Sequence, residues 1–421
     1  MALKRKWVIT FCFFVALCSQ SFGQDEPPSD SLEIKALVGG KVSTDSIKSD
    51  PTKIIEDAAL DIAQNRGLFI FTPDGSMQMR ILGSVRYLVV YDGLNLPTKN
   101  DLVTIEIPTG ENNIPFPNYY NELAQSRLGF EVTRRTDRGN VFARLETDFA
   151  GQYGFRIRHA YGQFKSLLVG QTWSLFAHIA ALPATVDFGG PTGSIAKRNP
   201  QIRFTSNTLI PSFNFSVGLE YSRPEIFIPD SLAIEAFQLV PDITLRIKKK
   251  TEWGSFQLSG IMPVLSGKTD GGNTVFQPGW GVGFSAIINS WASGKWYLQA
   301  AGGKAISRYF GVLGGKGLDV VYDEESKEYF IPISFGGFVT YEHYWKEHIF
   351  SSIAYGIVTI ENISAQAINN FQFGSTTHFN TFWEIVEGAR LGVEYELGLR
   401  IDRSGERGWA NRFNALFYYD F

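Results

Sequence analysis

Cysteine, charge and long apolar runs are all scarce in this sequence. Its 421 residues include only 2 Cys, and charged residues make up 19%, below the roughly 25% of soluble domains. The 39 Lys and Arg nearly balance the 42 Asp and Glu, which argues against the clustered basic surface of a nucleic-acid-binding protein. Beyond the N-terminus no apolar run approaches the roughly 20 residues of a membrane-spanning helix. Two classes remain: a soluble β-rich protein, or a membrane barrel whose apolar residues are spread by alternation.

The N-terminus predicts a secretory signal peptide over residues 1–23. A Lys-Arg-Lys cluster at 4–6 precedes the apolar stretch 7–18, and small residues follow before the cleavage site. Cys12 and Cys18 both fall in this segment, so we expect the processed chain to have no disulfide, thiolate metal site or cysteine nucleophile. Removal of the segment takes away three positive charges and no negative ones, which changes the formal net charge from -3 to -6.

Residues 24–75 predict a polar periplasmic lead-in with one short helix. Asp50-Pro51 has the pattern of a helix N-cap followed by proline at the first helical position, and Gly67 stands where a helix would end. Apolar residues recur between them at helical spacing: Ile54, Ile55, Ala58, Ala59 and Ile62. Two interpretations stay open. The helix plugs the main domain or mediates contacts between subunits, or it is a lead-in that packs against that domain.

From residue 76 to residue 421 the hydrophobic period is two, as in strands that bury one face. Val85 and Tyr87, for example, alternate with Ser84 and Arg86. These segments run for about 10–14 residues, the length that a tilted strand needs to cross a bilayer. The pattern predicts an all-β fold, a transmembrane antiparallel up-and-down β-barrel of about 16 strands, which is wide enough for an aqueous channel.

The predicted connections alternate between short and long, as in outer-membrane barrels. The short ones lie at 136–140, 165–166, 209–210, 290–294 and 386–389. The long ones lie at 92–121, 177–199, 222–238, 307–328 and 361–376. A soluble β-sandwich also alternates, but the apolar faces here are aromatic-rich and continuous over many strands, which favours contact with lipid.

The last predicted strand, 413–421, is aromatic and ends on Phe421. It resembles the terminal strand that the barrel-assembly machinery recognises, with Tyr419 and Phe421 as the assembly signal. The sequence therefore predicts a protein in the outer membrane of a Gram-negative cell, surrounded by outer-membrane lipid.

The strand pattern places a set of arginines inside the predicted barrel, because an arginine facing lipid at the bilayer midplane costs about 2–4 kcal/mol. The pore-lining, solute-binding set is Arg80, Arg86, Arg127, Arg144, Arg156, Arg158 and Arg203, together with Arg246. Lumenal acids of the second half, among them Glu394, Glu396 and Asp420, predict a mildly acidic wall opposite a basic one. Guanidinium groups in a water-filled constriction attract anions and pair bidentately with carboxylates. The alternative is that Glu146 and Asp148 neutralise the arginines.

The long loop 177–199 follows the fifth strand and is predicted to fold into the lumen as a constriction loop. It contains Asp187, a Gly-Gly-Pro turn at 189–191 that permits tight folding, and Lys197-Arg198. The alternative is an ordinary exposed loop.

No pattern in the sequence predicts catalysis, a cofactor or a metal site. The stretch 281–286 (GVGFSA) matches a dinucleotide fingerprint by letter but lies in an alternating strand with no helix to follow. The five histidines lack metal-ligand spacing. Two other function classes stay open: an outer-membrane barrel hydrolase that uses His159 or His343, and an adhesive barrel that displays loops and would give no conductance in a planar bilayer.

Several stretches resemble the DcaP-like family of trimeric outer-membrane porins. They are 155–161 (FRIRHAY), 168–174 (LVGQTWS), 190–191 (GP), 198–203 (RNPQIR), 391–395 (LGVEY) and 410–412 (ANR). The resemblance spans most of the chain from about residue 76 onward. It implies a homotrimer of barrels that takes up small, often dicarboxylic, anions by passive diffusion, with Arg156, Arg158 and Arg203 as constriction arginines. Such porins often have a longer N-terminal coiled coil, for which only one short helix is available here.

Together these patterns predict an outer-membrane porin that is not an enzyme and that needs no cofactor or metal. Small anionic solutes, carboxylates above all, would diffuse through an arginine-lined pore. The alternative function is a non-selective general diffusion porin.

Overall fold

The computed structural model of the chain describes residues 35–37, 60–227, 235–268, 274–290, 293–323, 328–363 and 366–421. In this part of the chain, sixteen antiparallel strands form one barrel. They are β1 (Met77–Asp92), β2 (Asn118–Glu122 and Arg127–Arg134), β3 (Val141–Gly151), β4 (Gly154–Phe164), β5 (Leu167–Trp173), β6 (Arg198–Ser206), β7 (Asn214–Glu220), β8 (Asp242–Thr251), β9 (Gly254–Met262), β10 (Trp280–Ser290), β11 (Gly294–Lys304), β12 (Ile333–Lys346), β13 (Ile349–Ile360), β14 (Phe371–Val386), β15 (Ala389–Asp402) and β16 (Arg407–Asp420).

Each strand pairs antiparallel with the next, and β16 pairs with β1 to close the sheet. The seam runs from Arg412 opposite Asp92 to Asp420 opposite Ser84. Directly after it, the backbones of Phe421 and Gly83 exchange two hydrogen bonds of 2.9 Å. The predicted transmembrane barrel of about 16 strands is confirmed.

Side chains alternate across the wall, as a period of two requires. On β1, Val85 and Tyr87 are 52% and 40% exposed on the outer surface, whereas Arg86 between them is buried inside. On β16, Phe413 faces outward and Arg412 faces inward. The outer surface is therefore apolar and aromatic, and the inner surface is polar.

Short turns connect the strands at the end of the barrel where β16 finishes, and longer loops connect most of them at the other end. The turn between β4 and β5, for instance, consists of residues 165–166. The link predicted at 209–210 is longer and spans 207–213, because Pro211 has no N–H with which to continue a strand ladder. Among the described residues, no helix is long and apolar enough to cross a membrane.

Two long connections fold into the barrel: the first loop (93–117) and the inward loop (174–197). The inward loop does so because it is apolar. Phe176 and Ile179 are at most 2% exposed and pack in one cluster with Val358 and Ile360 of β13. Burial of each such side chain contributes about 1.5–3 kcal/mol, which favours the folded-in position of the loop. The inward loop therefore fills part of the lumen.

Two glycines let the inward loop lie directly against the wall. A Cβ atom at Gly193, where φ is +89°, would lie 2.1 Å from the carbonyl oxygen of Ile357 on β13. A Cβ atom at Gly356, on the same strand, would lie 2.1 Å from the carbonyl oxygen of Thr192. Only glycine tolerates both approaches, so backbone contact helps to fix the position of the loop.

The described N-terminal residues form a bend and a short strand. Residues 60–67 form turns and a bend, and Leu68–Phe71 pairs with the beginning of β1 and with Lys35–Leu37. The predicted signal peptide and residues 38–59, which hold most of the predicted helix, lie outside the described residues. Both stay predictions.

Candidate functional site

The arginines that the sequence assigns to the lumen have their side chains on the inner face of the wall. Arg80 and Arg86 lie on β1, Arg127 on β2, Arg144 on β3, Arg156 and Arg158 on β4, Arg203 on β6 and Arg246 on β8. Seven of the eight are at most 7% exposed, whereas the side chain of Arg156 is 34% exposed. Their partners divide them into groups.

Three of these arginines form an ion-pair network with two carboxylates of β3. Arg158 contacts Glu146 through Nε and Asp148 through Nη1, both at 2.9 Å. Arg156 donates two hydrogen bonds to Asp148, of 2.9 and 2.7 Å, and Arg144 donates to Glu146. The two carboxylates therefore offset much of the positive charge of this part of the wall, as the alternative interpretation of the sequence proposed.

A β-bulge brings these groups together. Glu146 pairs with His159 but the next residue, Thr147, pairs with Ile157, so Arg158 is an extra residue in β4. Arg158 and His159 are both buried although they are neighbours in sequence. A bulge re-aims side chains in this way. Strict alternation places Arg158 inside the barrel, and the bulge adds His159 beside it.

A cavity of about 290 Å³ lies between the basic wall and the inward loop. Its charged lining consists of Arg86, Arg127, Arg156, Arg158, Arg198, Asp61, Asp101 and Asp187. Trp173 and Phe188 supply aromatic surface. Guanidinium groups outnumber carboxylates in this lining, and the volume is near the lower end of the roughly 300–1,000 Å³ of small-molecule sites.

Arg156 and Arg198 present guanidinium groups to this cavity. Arg198 lies over the indole of Trp173, 4.4 Å from the ring centroid, and its Nη1 atom is buried without a hydrogen-bond partner. Among the described residues its neighbour is thus an aromatic ring rather than a carboxylate. Arg156 lies 5.7 Å from the ring centroid of Phe188 and is partly exposed. A negatively charged solute in the cavity would meet both groups.

The inward loop crosses the lumen and is fastened to the far wall. The backbone N–H groups of Val186 and Asp187 donate to the carboxylate of Glu394 on β15, at 3.1 and 2.8 Å. The side-chain amide of Asn380 donates to the same carboxylate at 2.9 Å and to the carbonyl of Ala184 at 3.0 Å. The loop therefore narrows the lumen at mid-barrel.

Two of the three charged loop residues predicted for the constriction line the cavity. Asp187 accepts the Leu102 N–H at 2.6 Å, which joins the inward loop to the first loop, and Arg198 lies at the end of the inward loop. Lys197 points elsewhere, with its ammonium group 3.7 Å from Glu225. It does not line the cavity.

Asp101 and Asp187 form an acidic pair beside the cavity, in the loops rather than in the wall. Burial, together with the neighbouring Asp187 carboxylate, raises the pKa of Asp101 to about 8. Burial also raises the pKa of Asp187. At neutral pH the Asp101 carboxyl is therefore mostly protonated, and the cavity is more positive than a count of residues indicates.

One set of side chains on the far wall has the donor atoms of a metal site. Ligand atoms of His378, Glu394 and Glu396 lie within 4.8 Å of one another, and all three residues are buried. Both oxygens of Glu394, however, already accept hydrogen bonds from the inward loop and from Asn380. The geometry assigns Glu394 to holding the loop. Sequence reasoning missed this role, because the spacing of Glu394 and Glu396 is that of any two inward residues of a strand.

Four of the arginines on the predicted list do not line the cavity: Arg80, Arg144, Arg203 and Arg246. Arg203 donates to Gln201 at 2.9 Å and to the Trp173 carbonyl. Arg246 donates to Ser216 at 3.1 Å. Arg203 and Arg246 therefore bond within the wall. Alternation could not separate these four arginines from those of the cavity, because it reports the face on which a side chain lies and not its partner.

The two histidines of the hydrolase alternative lie apart from one another. His159 Nδ1 is 3.0 Å from the Thr172 hydroxyl, and His343 Nδ1 is 3.3 Å from the Tyr341 hydroxyl on β12. Each of these contacts joins a histidine to a neighbouring inner or outer wall residue rather than to a serine.

Known proteins share this architecture. The family model described as DcaP outer membrane protein matches residues 55–421. The outer membrane channel DcaP of Acinetobacter baumannii superposes with a TM-score of 0.72 at 21% identity, over 83% of this chain and 99% of that chain. The anion-selective porin from Comamonas acidovorans superposes with a TM-score of 0.55 at 11% identity, over 82% of this chain and 100% of that chain. Salmonella typhi OmpF, in complex with daunomycin, superposes with a TM-score of 0.51 at 9% identity, over 82% of this chain and 98% of that chain. No curated protein sequence matches the chain.

Proposed function

The chain belongs to the DcaP outer membrane protein family, and we propose that small anionic solutes, above all carboxylates, diffuse through its barrel. Family and fold make it an outer-membrane channel rather than an enzyme. The anionic character of the solute is the further step, and it rests on the side chains of the cavity.

The observation that carries the proposal is the pair of guanidinium groups, Arg156 and Arg198, at the cavity beside the inward loop. A guanidinium group presents a planar fork of donors that matches both oxygens of a carboxylate. Arg198 has no carboxylate partner among the described residues, and its Nη1 atom makes no hydrogen bond, so its positive charge is not offset by an ion pair. Arg156 shares Asp148 with Arg158, which leaves positive charge in excess at this point.

The mechanism is passive diffusion past a constriction. A solute that enters the narrowed lumen loses part of its hydration shell, and the arginine forks replace the lost water contacts. Transport requires that this binding stay weak enough for release. No cofactor and no covalent step enter this scheme.

A second candidate function is non-selective general diffusion. It is favoured by the pairing of Arg144 and Arg158 with Glu146 and Asp148, which leaves little net charge in that part of the wall. The two functions differ at Arg156 and Arg198, since only a selective channel depends on them.

Assembly as a homotrimer, through the barrel-assembly machinery, is part of the same proposal. Tyr419 and Phe421 are 45% and 43% exposed at the end of β16, where an external factor could contact them. The mass of the native particle in detergent tests the trimer, and the yield of folded barrel from a Phe421→Ala variant tests the signal.

Planar-bilayer recordings test anion selectivity. We expect wild-type protein in a KCl gradient to give a reversal potential on the anion-selective side, and succinate to reduce the chloride current. Arg156→Gln and Arg198→Gln should each move the reversal potential toward zero and weaken the block by succinate. Arg138→Gln is the matched control, because it removes the same charge from an exposed turn at the other end of β3. Unchanged reversal potentials and unchanged block in both cavity variants would leave general diffusion as the function.

A further inference from the structure

The N-terminal residues 60–66 lie inside the barrel, although they belong to no barrel strand. Arg80 donates to the carbonyls of Arg66 and Ala63, at 2.6 and 2.7 Å, and Arg86 donates to the carbonyl of Leu60 at 2.6 Å. Both arginines point into the lumen from β1, so the segment that they hold occupies the lumen as well. It runs from the short-turn end of the barrel toward the cavity.

The segment places one carboxylate directly on the basic wall. Asp61 accepts a hydrogen bond from Arg127 and lies 3.9 Å from Arg158. Its side chain is 4% exposed, and Asp61 and Leu60 are both part of the cavity lining. Glu131, Glu146 and Asp148, which also lie at this wall, are built into barrel strands, whereas Asp61 is brought there by a separate piece of chain.

We propose that Asp61 is a resident competitor for anionic solutes and thereby sets the affinity of the channel for them. Its carboxylate occupies guanidinium donors that a solute carboxylate would use, and its charge lowers the positive potential of the cavity. The inference rests on the proposed function, since a competitor matters only if the arginines bind the solute.

Two residues of the segment, Arg66 and Leu60, also hold it in place, away from Arg127 and Arg158. Arg66 reaches Glu384 at 3.2 Å and Glu387 at 3.8 Å, at the turn between β14 and β15. Leu60 packs against the buried apolar cluster that includes Leu88 and Phe382. The Glu387 side chain is 80% exposed, so its ion pair is weak and screened by salt. The Arg66–Glu384 pair and the packing of Leu60 therefore add to the hydrogen bonds from Arg80 and Arg86 that keep the segment, and with it Asp61, in the lumen.

The test is succinate block of chloride current through the full-length protein in planar bilayers. Asp61→Asn keeps the size of the side chain and removes its charge. We expect it to strengthen the block by about tenfold, equivalent to about 1.4 kcal/mol, and to shift the reversal potential further to the anion-selective side. Asp61→Glu restores a carboxylate and should behave as the wild type does.

The matched control is Asp74→Asn, the same chemical change in the exposed turn that precedes β1. Arg66→Gln is a second variant that should displace Asp61, and it leaves Arg127 and Arg158 unchanged. It loosens the segment at the rim and should strengthen the block in the same direction by a smaller factor. It also keeps the test decisive if Asp61→Asn yields too little folded barrel, which electrophoretic mobility before and after heating reports.

The outcomes separate this inference from the proposed function. If Asp61→Asn and Arg66→Gln both leave the block unchanged while Arg156→Gln and Arg198→Gln weaken it, the channel binds anions and Asp61 is not a competitor. If none of the four variants differs from the wild type, the proposed anion site itself is wrong. An equal effect of Asp74→Asn would also overturn the inference, because the change would then reflect net charge alone.

Discussion

On the basic wall of the lumen, Arg156 and Arg158 pair with carboxylates of the neighbouring strand, whereas on the acidic wall at β15 Glu394 pairs with the backbone of the inward loop. The first arrangement joins two parts of the wall that the barrel already holds together. The second joins the wall to the inward loop, which no strand ladder of the barrel restrains. The comparison indicates that lumenal charge has two separate uses: the basic wall sets the potential that a solute meets, and the acidic wall sets the width of the passage.

The largest effect is expected when the hydrogen bonds between the acidic wall and the inward loop are removed. Glu394→Ala deletes the acceptor of hydrogen bonds from Val186, Asp187 and Asn380. Hydrogen bonds to a charged group contribute about 1.5–3 kcal/mol each, so the loop should leave its position and single-channel conductance should rise by roughly twofold or more.

Single-channel recording with Glu342→Ala as control measures this effect. Glu342 is also a buried inward acid, but its partner is the Tyr297 hydroxyl of the adjacent strand rather than a loop. Conductance and noise equal to the wild type in Glu394→Ala would mean that the apolar packing and the close backbone contacts of the loop hold it without Glu394.

The same kind of change on the basic wall should alter selectivity and leave conductance nearly constant. Glu146→Gln removes one negative charge from the network of Arg144 and Arg158. A unit charge about 10 Å from a solute, at an effective dielectric constant of about 40, contributes about 0.8 kcal/mol, roughly a fourfold change in occupancy. The ratio of chloride to potassium permeability should therefore increase, and reversal potentials measure it. A large rise in conductance without a change in this ratio would contradict the division of roles.

The smallest expected effect is a dependence of selectivity on pH that originates in the loops. Burial and the neighbouring Asp187 raise the pKa of Asp101 to about 8. A carboxyl with a raised pKa is protonated below that value and gains a negative charge as the pH rises through it. Anion preference should therefore decline between about pH 7 and pH 9.

Asp101→Asn should remove this decline, because the amide does not ionise. Reversal potentials of wild type and variant, recorded over the same pH range, check the expectation. An equal decline in both proteins would assign the titration to another group.

The strand number and the two faces of the barrel could be predicted because alternation is a local property. A period of two places Arg86 inside and Tyr87 outside without any knowledge of what lies across the lumen. The basic and acidic walls could be predicted from the same pattern. The charge of each wall is the total charge of its inward side chains, and alternation places each of these side chains separately.

The partners of those residues could not be predicted, because they come from distant parts of the chain. Asp187 and Glu394 are separated by 207 positions, and Arg127 and Asp61 by 66. No spacing in a single sequence reports such contacts. The bulge at Arg158 is likewise invisible, since an extra residue in a strand leaves the letters on either side unchanged. Lys197, grouped with Arg198 by sequence, points to Glu225 instead because neighbouring residues of an extended chain face opposite ways.

The seam between β1 and β16 makes synthesis of the whole chain a condition for a sealed cylinder. Arg412 and Asp92 meet across it although 320 positions separate them, and the ring of Phe421 covers the bare backbone of Gly83. A nascent chain that stops before β16 leaves β1 with an unpaired edge, which favours aggregation and degradation. Contacts so distant in sequence also form slowly. A truncated translation product that lacks β16 therefore cannot close the barrel, and closure is a late step of folding.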